Sequence, residues 1–192
     1  MVISGMEASK EMRRTSNVRK MARVALMAGL IVICSWITIP AAVPFTLQTF
    51  AVFTACALLG GKTGLSAVGL YILLGAVGLP VFSGFGAGLG TLLGPTGGYI
   101  LGFVFTALAM WGVEARFGAG LPARIAGMAL GLLLCYAFGT AWFMAVYARV
   151  GGTIGLGAAL SMCVLPFLAP DCIKIALAAL IAARLGPRLG RP

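Results

Sequence analysis

Between Arg23 and Glu114 the chain carries one charged side chain, Lys62. Over the whole sequence 14 Lys and Arg stand against 4 Asp and Glu, so that 9% of residues are charged. A soluble domain carries about 25%. With 61% of its residues hydrophobic, the chain cannot cover its own surface in water. A soluble enzyme, a disordered tail and a disulfide-stapled secreted module are excluded on that ground. An integral membrane protein remains. The net charge of +10 then has to be read by position, because in a soluble chain it would suggest nucleic acid.

Absences narrow the chemistry. There is no His, which removes the commonest general base and metal ligand. Gln48 is the single Gln and Asn17 the single Asn. The five Cys (34, 56, 135, 163 and 172) are scattered without a CxxC pair. They read as small apolar residues inside helices, so metal binding and structural disulfides are set aside. Gly61-Lys62-Thr63 resembles the end of a P-loop, but position 56, where the motif needs Gly, is Cys. Gly84, Gly86, Gly88 and Gly90 give no G-x-G-x-x-G in register. No cofactor and no means of hydrolysing ATP are visible.

Charges, Pro and Gly divide the chain. A basic N-terminal segment (1–20) precedes a first spanning helix of roughly 20 residues that begins near Met21. Residues 40–48 form a Pro-broken loop. A short apolar helix covers about 49–61 and a third helix about 63–79. A Gly-rich loop follows at 80–97, then a fourth helix at about 98–113. Glu114 to Arg124 is a polar turn, and a fifth helix covers about 125–148. Arg149 to Gly157 is a Gly-rich loop. The last apolar region, about 158–184, holds a short helix and a sixth span that starts near Pro170, Pro being tolerated in a first helical turn. Residues 21–185 are thus a single all-α membrane domain of six transmembrane helices, with a tail at 186–192. With the N-terminus in the cytoplasm, the inside segments hold twelve of the fourteen bases: six before Val24, then Lys62, Arg116, Arg124, Arg184, Arg188 and Arg191. The outside loops hold Arg149 alone. This satisfies the positive-inside rule with both termini cytoplasmic, and it removes the argument for a nucleic-acid partner.

Asp171 and Lys174 lie three residues apart and share a helix face. An ionisable group in a span survives by pairing, by facing a wet cavity or by binding a ligand. The two residues are either a mutually neutralising structural pair or the polar floor of a solute site. Asp171 would accept hydrogen bonds there and Lys174 donate them, which suits a zwitterion or a solute with N–H and C=O groups. Gln48 falls in the first outside loop, as a solvated residue or a ligand contact. The stretch LPVFSGFGAGLGTLLGPTGGY (79–99) is either a flexible loop or a lid with backbone N–H groups over the site. Tyr99, Tyr136 and Trp142 either pack or shelter a ring. Together these residues predict an outward-facing site for a small, partly apolar molecule. No nucleophile stands at a credible spacing from Asp171 and Lys174, which argues against an enzyme. In the first helix Ala25 and Gly29 form a small-xxx-small pair, for packing within the bundle or for docking a partner membrane protein.

The strings VPFTLQTFAV (43–52), GLPVFSGFGAGLGTLLGPTGGYILGF (78–103) and LAPDCIKIALAAL (168–180) strongly resemble the BioY family. These are biotin-binding S components of energy-coupling factor (ECF) vitamin transporters, and the resemblance extends over about residues 20–185. GPTGGY and the P-D-x-x-K string at 170–174 are its most specific parts. The resemblance implies a six-helix S-component bundle in the bacterial inner membrane with cytoplasmic termini. It implies capture of biotin from outside, and two kinds of partner: a transmembrane coupling protein and a pair of ATP-binding-cassette ATPases. By the same resemblance Asp171 and Lys174 bind the ureido ring. Ser83, Gly84 and the following glycines, Gly86 and Gly88, cover the ligand. Gln48 contributes from the first loop, and Tyr99, Tyr136 and Trp142 from helix walls. Some relatives carry an Arg in the Gly-rich loop, whereas this chain has no charged residue between Pro80 and Tyr99. Loop N–H groups, water or Lys174 itself are the candidates for holding the biotin carboxylate.

Overall fold

A computed structural model describes residues 2–40, 43–149 and 152–189, with side chains from 14 to 187. Arg191 and the side chains of Lys10, Arg13 and Arg188 lie outside the described residues. The chain folds into helices α1 (Val2–Trp36), α2 (Gln48–Leu59), α3 (Gly61–Ala76), α4 (Gly88–Leu93), α5 (Gly97–Phe117), α6 (Leu121–Arg149), α7 (Leu156–Cys163) and α8 (Leu165–Leu189). A two-residue antiparallel ribbon pairs Thr38–Ile39 with Phe45–Thr46. Among the described residues α5, α6 and α8 are long and apolar enough to cross a membrane. The two shorter apolar helices are α2 and α3.

α2 lies at the centre, packed by α1, α3, α5 and α8. Every residue from Ala51 to Leu59 is buried. A helix apolar all round sits in a protein core or in lipid, and here protein surrounds it. Twelve residues rise about 18 Å, against about 30 Å for a hydrocarbon core.

Glycine brings the long helices together. α5 and α6 form a hairpin turned at Gly118, whose φ is +81°. On α5 Gly98 and Gly102, and on α6 Gly127 and Gly131, repeat at four-residue spacing. A Cβ at Gly131 would lie 2.8 Å from Thr106 Cγ2 and 2.9 Å from its Cα. Without it the backbones close until Thr106 Oγ1 donates to the Gly131 carbonyl at 3.0 Å. This is the small-residue contact by which helices associate where the surroundings are as apolar as the side chains.

Several boundaries differ from those read in the sequence. α1 does not begin near Met21; the helix runs unbroken from Val2. The polar turn at 114–124 shrinks to 118–120, because α5 continues to Phe117 and α6 starts at Leu121. Arg149 ends α6 and is not a loop residue. The last long helix starts at Leu165, with Pro166 in its first turn and Pro170 inside it. The 80–97 segment is not an unstructured loop: it contains a 3-10 turn at Ser83–Phe85 and α4.

Paired substitutions test the close approach. Gly131→Ala is expected to destabilise by about 1–3 kcal/mol through overpacking. Gly29→Ala, with nothing within 4 Å of the added carbon, is expected to stabilise by about 0.5–1 kcal/mol. Thermal unfolding in one detergent reads both.

Candidate functional site

The N-terminal end of α2 and the start of α8 meet around an ion pair. Lys174 Nζ lies 2.7 Å from Asp171 Oδ1, and the two side chains are 7% and 2% exposed. Charges this deep cost several kcal/mol each unless every polar atom is matched. Lys174 donates its other two protons to the Thr46 carbonyl at 2.7 Å and to Thr49 Oγ1 at 3.0 Å. Its ammonium also sits 4.4 Å from the centre of the Phe45 ring, a cation–π contact strengthened by burial. Asp171 Oδ1 accepts from Thr49 Oγ1 at 3.0 Å, and Oδ2 from the Tyr136 hydroxyl at 2.5 Å.

Apart from Phe45, these groups line a cavity of about 60 Å³. Gln48, Tyr99, Tyr136, Asp171 and Lys174, all read as candidates in the sequence, share its wall with Thr46, Thr49 and an apolar remainder that includes Phe103, Cys135 and Phe167. One end is therefore a dense set of donors and acceptors, and the rest is apolar.

Gln48 is not a solvated loop residue. It is the first residue of α2 and is 6% exposed. Its Nε2 donates to the Tyr71 hydroxyl at 2.5 Å, and its Oε1 accepts from Thr46 Oγ1 at 3.1 Å. Thr46 also receives the Gln48 backbone N–H at 3.3 Å, so one hydroxyl meets both the first N–H of α2 and the side-chain amide.

Ser83, Gly84, Gly86, Gly88 and Trp142 do not line this cavity. Instead the Gly-rich segment is fastened to the bundle at both ends. At its start, Trp36 Nε1 donates to the Pro80 carbonyl at 2.9 Å and Ser35 Oγ to the Val81 carbonyl at 2.5 Å. Phe82 is fully buried against Gly75, where a Cβ would lie 2.0 Å from its ring. At its end, Trp142 Nε1 donates to the Gly94 carbonyl at 3.0 Å. Trp142 is thus a fastener of the segment and not part of the cavity wall. Gly84 turns the chain at a φ of +63°, which few other residues adopt readily.

Thr46 and Thr49 were not singled out from the sequence, although they flank Gln48. Threonines on either side of a lone Gln, at an expected helix start, are the signal that would have found them. The string Gly61-Lys62-Thr63 opens α3, but Glu114 Oε2 accepts the Gly61 N–H at 2.7 Å. A carboxylate already occupies the position where a phosphate would sit. Ala25 and Gly29 are exposed on α1, and Leu26 beside them is 71% exposed.

The described residues form an apolar helical bundle that buries one acid and one base in a small mixed cavity, with three helices long and apolar enough to cross a membrane. The fold agrees with a crystal structure of the S-component for biotin from an ECF-type ABC transporter. The TM-score is 0.79 at 27% identity, covering 89% of this chain and 92% of that one. The chain belongs to the BioY family, whose model matches residues 8–191. It is 40% identical to the biotin transporter BioY of Thermotoga maritima over 88% of this chain and 96% of the relative. It is 39% identical to a probable biotin transporter BioY of Pyrococcus horikoshii over 87% and 96%. The family is one of transporters, not enzymes.

Breaking the pair should be worse than removing it. Lys174→Met alone is expected to cost about 3–5 kcal/mol, because Asp171 is left charged and unpaired. Combining it with Asp171→Asn should restore most of that loss. Chemical or thermal unfolding of the three proteins in detergent checks the order.

Proposed function

We propose that this protein captures biotin from the outer side of a bacterial inner membrane and delivers it inward. Its partners in delivery are a transmembrane coupling protein and a pair of ABC-type ATPases. The observation that carries this reading is the Asp171–Lys174 pair, 2.7 Å apart at the polar end of an otherwise apolar cavity. Biotin has matching chemistry: a ureido ring with two N–H donors and one C=O acceptor, beside an apolar ring and chain. The ureido N–H groups take the places of the Thr49 and Tyr136 hydroxyls at Asp171. The ureido oxygen takes a Lys174 proton now given to Thr49. Each exchange keeps Asp171 and Lys174 fully hydrogen-bonded and releases the Thr49 and Tyr136 hydroxyls.

The remaining parts follow from the same reading. Ligand sites commonly occupy about 300 Å³ or more, whereas this cavity holds about 60 Å³, so its walls part to admit the solute. The Gly-rich segment, with Ser83, Gly84, Gly86 and Gly88, is the part that yields and then covers the ligand. Six spans with cytoplasmic termini put Gln48 and Asp171 towards the outside and the basic segments within. α3 and the central, fully enclosed α2 are the short members. The carboxylate meets backbone N–H groups of the Gly-rich segment or water, since all three Lys174 protons serve the polar end. The exposed Ala25 and Gly29 face of α1 docks the coupling protein, through close approach of small residues.

Titration of the purified protein with biotin, with other vitamins as controls, is expected to give micromolar or tighter binding for biotin alone. Asp171→Asn should weaken it at least about a hundredfold, the scale on which a buried charged hydrogen bond is lost. No biotin binding, or tighter binding of another vitamin, would sink the proposal. Gly29→Trp should leave biotin affinity intact and abolish uptake in cells that co-express the coupling module. Equal loss of binding and uptake would assign Gly29 to packing.

A further inference from the structure

At the end of α2 away from the ion pair, a second cavity opens between three helices. Gln48 and Thr49 begin α2 at the first cavity, and Leu59 ends it at the second. This second cavity has about 350 Å³, within the range of ligand sites, about 300–1,000 Å³. Its walls include Lys20 from α1, Lys62 and Thr63 from α3, and Trp111 and Glu114 from α5. A Cβ at Gly61 would lie 2.3 Å from Trp111 Cα, so a glycine there lets α3 start against the α5 backbone and closes the floor.

The charges give this cavity a sign. Lys20 and Lys62 are exposed, and among the described residues neither forms an ion pair. Lys62 is the second residue of α3, where the helix end is already positive, so its ammonium stands against the field of its own helix. Glu114 accepts the Gly61 N–H at 2.7 Å, which sets one negative charge against two positive ones in the wall. Thr63 points the same way. It is 6% exposed and lines the cavity, yet its hydroxyl meets no hydrogen-bond partner among the described residues. A buried hydroxyl left unmatched is costly, and a ligand oxygen would match it. Beside it Trp111 is 38% exposed, with Lys62 Nζ 5.9 Å from the centre of its ring. Trp is enriched at the level of lipid headgroups.

We propose that this cavity binds the phosphate of an anionic phospholipid. Lys20 and Lys62 approach the phosphate from two helices, and Thr63 donates its hydroxyl. The phosphate lies on the lysine side, because Glu114 holds the position directly before the α3 N–H groups. A lipid fits better than a free ion, since the cavity opens beside an exposed Trp at the end of an apolar bundle. The acyl chains of the same molecule can then lie along α5 while its head is held. Basic pockets between membrane helices are suited to such headgroups. A bound lipid would tie α1 to α3 and α5 at the other end of α2 from the solute cavity. The site needs no solute and stands apart from the proposed function.

Native mass spectrometry of the full-length protein, titrated with phosphatidylglycerol or with phosphatidylcholine in one detergent, tests this. The wild type is expected to retain one phosphatidylglycerol at least about tenfold more tightly, the scale of one charge-assisted hydrogen bond. Lys20→Gln with Lys62→Gln should erase that preference. Thr63→Val should weaken phosphatidylglycerol about fivefold, while Thr63→Ser keeps it. Arg14→Gln with Arg19→Gln removes two exposed charges of α1 that lie outside the cavity, and should change the affinity by less than about twofold. Equal retention of both lipids by the wild type overturns the proposal, as does a preference that survives in the lysine pair. An equal loss from the two arginines overturns it too, because the lipid would then belong to a diffuse basic surface. In thermal unfolding, phosphatidylglycerol should raise Tm of the wild type and not of the lysine pair. Inorganic phosphate alone should raise neither; a full effect from it would make the ligand a free ion and sink the lipid. Should Thr63→Val fail to fold, the exposed lysine pair decides. A wild-type protein that does not bind biotin would defeat the proposed function and leave these measurements standing.

Discussion

A charge placed among apolar helices has to be answered on every side. Asp171 and Lys174 set that requirement, and much of the bundle is arranged to meet it. The answer comes from four groups in two stretches of the chain: the Phe45 ring, the Thr46 carbonyl and the Thr49 hydroxyl at the start of α2, and Tyr136 on α6. α2 and α8 are therefore joined by charge-assisted bonds as well as by packing. Because water is kept out, each bond is stronger than it would be at a surface, and a missing one is more costly. Function and fold are bound together here: the groups suited to a solute are the groups that make the ion pair tolerable.

The glycine contacts provide the close spacing that this exclusion of water demands. Gly102 brings α5 against Cys135, and Gly131 brings α6 against Thr106, on the two helices that supply Tyr99, Phe103, Cys135 and Tyr136 to the cavity. At another point of the bundle the Glu114 carboxylate receives the Gly61 N–H, so a negative group on α5 meets the positive end of α3. Such contacts leave little freedom within the body. The Gly-rich segment differs in being joined through a few discrete points, and motion is easier to localise there.

Scarcity made part of this legible from sequence. One acid and one base at helical spacing in an apolar region, and one Gln in the whole chain, stand out without any structure. Tyr99 and Tyr136, expected at the walls, line the cavity, whereas Trp142 lies off it. Its indole reaches the Gly94 carbonyl across 48 positions, and no local pattern shows such a contact. The early start of α1 has a different cause. Lys, Arg, Met and Glu favour helix, so polar residues before Met21 mark where apolar character ends and not where the helix does. At α8, Pro166 and Pro170 each fit a helix start. The structure uses the first, and Pro170 leaves one carbonyl in the ladder without its usual partner.

The socket at Gly75 sets a lever apart from the chemistry of binding. Phe82 fills the space that any larger residue at 75 would need, so one methyl group there would push the ring out at the base of the Gly-rich segment without touching Asp171 or Lys174. On the proposed function that socket would bear on how quickly a solute enters, and Asp171 and Lys174 on how tightly it is held. The two properties would then reside in different helices, and a lineage of such proteins could alter the tempo of capture by changing one small side chain while its choice of solute stayed the same.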